Sequence, residues 1–184
     1  MATFIDKTYF INDINIPDGR FSEVQQLIDK FEPEILTKAL GYELYTLVIA
    51  EVADPDAAPE RIKDLIKGKE YTVSYNSRDQ KVKWNGLINS ELISLIAYYV
   101  YYQWQRANVT QTTTVSESKP VSENAERAVW ANKAASAWRN CKYLYGSSGD
   151  DALVPSLYNF LLKYESDYEE WIFTELGSVN NLDL

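Results

Sequence analysis

The chain has 184 residues, a net charge of −9, one cysteine and no histidine. That length fits about one domain whose core needs neither disulfide nor metal. The lone Cys141 excludes an intrachain disulfide, and the lack of histidine excludes Ser-His or Cys-His nucleophile pairs and His-ligated metals.

Residues 1–20 contain Asn12, Asp13, Pro17, Asp18 and Gly19, and read as an extended arm ending in a turn. They lack the basic start, apolar run and small-residue cleavage site of a signal peptide. Ser22 and Gln25 match a capping box, and Val24, Leu27, Ile28 and Phe31 then follow at helical spacing. Pro33 suits the first turn of a second helix carrying Ile35, Leu36, Ala39 and Leu40. Gly41 reads as a C-cap or kink before a helix over residues 42–52. Pro59 opens a short basic helix stopped by Gly68.

The period then changes. Tyr71, Val73 and Tyr75 alternate, a turn follows, and Val82 and Trp84 alternate on the other side, which predicts a β-hairpin over about 70–84. Residues 87–108 predict a long helix with two apolar stripes, one through Ile88, Leu92, Leu95, Tyr99 and Tyr102, the other through Ile93, Ala97, Val100 and Trp104. So wide an apolar surface requires cover on most sides, from its own chain or from a neighbour. The uncharged run 92–104 is 13 residues long, too short for the roughly 18–20 that span a membrane. The expectation is a soluble protein made in the cytoplasm.

Residues 109–121 have no helical period. Thr110, Thr112, Thr113, Thr114 and Ser116 favour extended backbone, and Pro120 disfavours helix at Lys119. This predicts a long extended loop. Ser122 caps the next helix, which runs to Tyr145 with Trp130, Ala134, Trp138, Cys141 and Tyr145 on one face. Pro155 opens a last helix carrying Leu157, Phe160, Leu161, Tyr164, Tyr168 and Trp171. A loose tail follows over 177–184. The fold class is therefore mainly α, a single helical bundle with a small hairpin and a long extended loop.

Charge is uneven along the chain: −8 over residues 1–60, +4 over 61–83 and −7 over 147–184. This pattern suits solvated helix faces, or acidic ends of one copy meeting the basic middle of another. Fourteen tyrosines and five tryptophans hint at interfaces. Chemistry is sparse. There is no phosphate loop and no CxxC, so no cofactor or metal is expected. Glu165, Asp167, Glu169 and Glu170 are the one carboxylate set that invites a hydrolase reading, and they also suit the wet face of a helix.

The order of elements resembles the head–tail connector (adaptor) proteins of tailed bacteriophages, in the version found in phages of Bacteroidetes-type hosts. The likeness covers residues 20–172. It rests on the hairpin ending in Trp84-Asn85-Gly86-Leu87, the Tyr-rich helix, the loop VTQTTTVSESKP and the helix start Ser122-Glu123-Asn124-Ala125-Glu126. The resemblance implies a non-enzymatic ring of identical copies, typically a dodecamer, in the virion neck. It would dock on the portal protein, meet the tail or next neck protein on its other side, and let DNA pass. Thr110, Thr112, Thr113, Thr114, Ser116, Ser122 and Glu126 would then be subunit or portal contacts. Tyr99, Tyr102 and Trp104 would be covered in the assembly. The alternative is a nucleic-acid-binding module acting through the basic segment 61–84, where Tyr71, Tyr75 and Trp84 interleave the bases.

Overall fold

In a computed structural model, residues 3–17, 21–109, 111–112, 117–118 and 126–177 are described. The architecture is mainly helical: α1 (Phe21–Leu40), α2 (Tyr42–Ala50), α3 (Glu60–Lys67), α4 (Leu95–Val109), α5 (Glu126–Tyr145) and α6 (Leu157–Lys163). The hairpin is β1 (Lys69–Tyr75) paired antiparallel with β2 (Arg78–Trp84). A second, two-residue pair joins β3 (Gln111–Thr112) to β4 (Glu117–Ser118).

The core is a layer of α1, α4 and α5. Val24, Ile28, Ile35 and Leu36 of α1 meet Ile96, Tyr99 and Val100 of α4, while Ala134, Ala137, Cys141 and Tyr145 of α5 close the other side. The core face of α5 therefore follows the aromatic stripe that its sequence set out.

Several elements depart from expectation. Residues 3–17 do not stand off as an arm. Phe4, Ile5, Tyr9, Phe10, Ile14 and Ile16 are all buried, and two short 3₁₀ turns fold the segment onto the helices. Pro33 lies inside one continuous α1 rather than starting a second helix. A proline there removes one N–H, and the buried faces on both sides hold the helix together despite that loss. α4 begins at Leu95, eight residues later than the stripe suggested. The amides of Leu87 and Ile88 donate to Leu65 O and Ile66 O, capping the end of α3, and Leu92 takes φ +57°. Ser94 then caps α4 through its Oγ, which accepts from Ile96 N at 3.1 Å.

The last helix also stops early. After Lys163 the chain makes a 3₁₀ turn over Glu165–Asp167 and a further turn at 169–170, and then runs without regular secondary structure. Residues 109–121 contain the β3–β4 pair, so part of the expected unpaired loop satisfies its backbone on itself. Residues 110, 113–116, 119–125 and 178–184 lie outside the described residues, and with them most of the loop and nearly all of the expected tail.

Candidate assembly interface

The expected contact residues divide between two places. Tyr99 and Tyr102 belong to the interior, each 3% exposed. Tyr99 packs edge-on to Phe31 of α1, with ring centroids 6.1 Å apart, and both tyrosines lie over Trp138 of α5, at 6.3 and 4.8 Å. The Tyr99 hydroxyl donates to Glu34 Oε1 at 2.8 Å, on the same oxygen that receives Lys38 Nζ at 2.7 Å. Hydrogen bonding from Lys38 holds the Glu34 carboxyl below its usual range, and burial pushes the Tyr99 hydroxyl up. The cover that the wide apolar face of α4 requires is thus supplied by α1 and α5 of the same chain. Trp104 is half-buried and tilted against Tyr101.

The remaining expected contacts sit where α4 passes into α5. Thr112 belongs to β3, and Glu126 is the first residue of α5. Thr110, Thr113, Thr114, Ser116 and Ser122 lie outside the described residues. The pair Gln111↔Ser118 and Thr112↔Glu117 stands directly on the end of α4. Further along the α4–α5 pair, Tyr99 and Tyr102 of α4 pack on Trp138 of α5. Asn140 Nδ2 of α5 donates to Asp13 Oδ2 of the N-terminal segment at 3.3 Å. A two-stranded ribbon of this kind has an outer edge on each strand.

Large apolar side chains are exposed elsewhere. Tyr42 is 74% and Ile172 67% exposed, and they adjoin, since Ile172 packs against Gly41. Tyr143 on α5 is also open.

The basic segment is largely neutralised within the chain. Arg61 makes a two-pronged pair with Glu170, both contacts at 2.8 Å, and also donates to Asp167 O. Lys63 and Lys67 both reach Asp56, Lys69 reaches Asp64, and Lys83 lies 3.8 Å from Glu91. The acidic end and basic middle that the sequence separates therefore meet in one molecule. Tyr71 and Trp84 are buried, with the Trp84 indole N–H donating to Leu65 O at 3.0 Å, so only Tyr75 of the three aromatics remains open.

The carboxylates considered for hydrolysis do not converge. The Glu170 carboxyl is held down to about 2 by hydrogen bonding from Arg61, while Glu165 and Glu169 face solvent. Cys141 is fully buried and its thiol is pushed up by that burial. In the loop after α5, Ser147 N and Ser148 N donate to Asp150 and Glu175, so carboxylates hold the amides that a phosphate would need. Among the described residues no group of His, Cys, Asp or Glu is placed to hold a metal ion, and no helix is long and apolar enough to cross a membrane.

The fold defines a class: a mainly helical protein with a small antiparallel β-hairpin. Comparison with family models, curated proteins and solved structures returns no match for this chain.

Proposed function

We propose that this chain is a structural head–tail connector of a tailed phage, forming a ring of identical copies in the virion neck between the portal and the tail or next neck protein. The observation that carries the reading is the packed α4–α5 pair with the β3–β4 ribbon following α4. Its Thr/Ser-rich sequence lies where the resemblance places subunit and portal contacts. An extended segment with open edges binds by adding a strand to a neighbour, which needs main-chain bonds and little side-chain matching. The exposed Tyr42, Ile172 and Tyr143 suit a protein that buries more surface on assembly. Net negative charge suits a ring that DNA crosses without sticking.

The runner-up, nucleic-acid binding through residues 61–84, has a weaker footing. It needs free bases and stacking rings, and five of the seven bases have acidic partners while Tyr71 and Trp84 are buried.

The test is light scattering after size-exclusion chromatography, alone and with a portal protein. Wild type is expected to form a ring or a portal complex. Replacing residues 111–118 with a Gly-Ser bridge is expected to keep helical circular dichroism and abolish assembly. Unchanged assembly of that variant would remove the ribbon from the reading, and a wild type that stays monomeric with portal present would remove the reading itself.

A further inference from the structure

Glu32 is the one acidic side chain in the core among the described residues, at 2% exposure. It sits on the buried stripe of α1 with Ile28, Ile35 and Leu36. A single oxygen, Oε2, accepts two consecutive amides, Phe4 N at 3.0 Å and Ile5 N at 3.2 Å. These bonds tie the start of the chain to the middle of α1. Among the described residues no lysine or arginine forms an ion pair with it. The titratable groups that face it are Asp29 on its own helix and Tyr45 on α2, and neither brings positive charge.

A buried carboxylate without a cation is unstable in its charged form. The two amides favour the charge and lower the pKa, but burial outweighs them and raises the carboxyl to about 7. Asp29 adds a smaller push in the same direction. If Phe4 and Ile5 come away, water reaches the carboxyl and its ordinary acidity returns. The docked form therefore holds the proton more tightly than the undocked form. Linkage then requires that rising pH favours undocking. Only the first residues are at stake, because Tyr9, Phe10, Ile14 and Ile16 anchor the rest of the segment in the core.

We propose that Glu32 is a pH-sensitive latch for the start of the chain: with the carboxyl neutral, Phe4 and Ile5 stay docked on α1, and with it charged they come away and leave their apolar seat open. The inference does not depend on the connector reading. It makes the N-terminal end an element that neutral-to-alkaline conditions release.

Amide hydrogen exchange at Phe4 and Ile5, corrected for intrinsic base catalysis, tests it over pH 5 to 8.5. Protection in wild type is expected to fall with rising pH, by up to about 70-fold over that window, the part of the rise from 4.5 to about 7 that lies within it. Glu32→Gln is expected to give protection independent of pH. Flat protection in wild type, or the same slope in Glu32→Gln, overturns the latch. A carbon-13 titration of the Glu32 carboxyl in wild type decides the matter without any variant. A midpoint near 7 supports the latch, and one near 4.5 overturns it.

Discussion

At the residue scale the core carries two polar anomalies with opposite remedies. Tyr71 is 4% exposed, its ring lies against Phe160 and Tyr164, and its hydroxyl has no hydrogen-bond partner among the described residues. A buried hydroxyl left unpaired costs about 1–3 kcal/mol, so Tyr71→Phe is expected to stabilise the fold by roughly 1 kcal/mol, read as a higher urea midpoint at unchanged slope. Glu32 and Glu170 set the pH dependence from opposite sides. The carboxyl of Glu32 is raised in the folded state, so its contribution is fully present below about 4.5 and is lost as pH climbs through about 7, on the order of 3 kcal/mol in all. That of Glu170 is lowered by Arg61, so its contribution is present above about 4.5 and is lost as pH falls through about 2. Urea midpoints are expected to peak in mildly acid solution, and Glu32→Gln is expected to remove the loss on the neutral side alone. Glu32 is inconspicuous in the sequence because it sits between Phe31 and Pro33, where the pattern reads as a break between helices. Its spacing of four from Ile28 and Leu36 was the available signal, visible only once α1 is taken as continuous.

At the element scale the end of α1 depends on the far end of the chain. Helices leave their last carbonyls without intrahelical partners. Here Lys38 O, Ala39 O and Leu40 O receive Thr174 N at 2.9 Å, the Trp171 indole N–H at 2.9 Å and Ile172 N at 3.2 Å. Gly41 makes the approach possible: its φ is +80°, and a Cβ there would lie 3.0 Å from that of Ile172. Trp171→Phe is expected to cost about 1–2 kcal/mol through the lost hydrogen bond. Gly41→Ala is expected to cost at least about 1 kcal/mol through strain and crowding. Both are measured by thermal or urea unfolding, and a neutral Gly41→Ala would refute the packing argument. The same residues explain which elements were legible. The period-two alternation of Tyr71, Val73, Val82 and Trp84 located the hairpin because local pattern and burial agree there. Tyr164, Tyr168 and Trp171 mimicked a helical stripe, yet the Tyr168 hydroxyl bonds Arg61 O and Trp171 bonds Ala39 O, and these long-range contacts end the helix. Leu87 and Ile88 misled in the same way, since their amides serve α3 rather than α4. Of the candidate interface, Tyr99 and Tyr102 announced burial correctly, but an amphipathic pattern does not say whose atoms provide the cover.

At the scale of the whole molecule, the distribution of charge changes meaning once the chain is folded. A basic stretch of +4 between acidic ends suggests contacts between copies or with phosphate. Folding brings Arg61 to Glu170 and sets Lys63 and Lys67 on Asp56, so much of that field closes on itself. Arg78, beside the hairpin turn, and Lys81, midway along β2, have no ion-pair partner among the described residues, and Asp79 lies between them in the sequence. Two cations release few counterions from a duplex, and a net charge of −9 opposes the approach. The free protein is therefore expected to leave double-stranded DNA unretarded in a gel at physiological salt. Arg78→Ala combined with Lys81→Ala is expected to leave that result unchanged. Retention that weakens steeply with salt, and is lost in the double variant, would instead make the hairpin a nucleic-acid contact. The proposed ring calls for the first outcome, because DNA must slide through it without being held, and a net negative charge on each copy favours that.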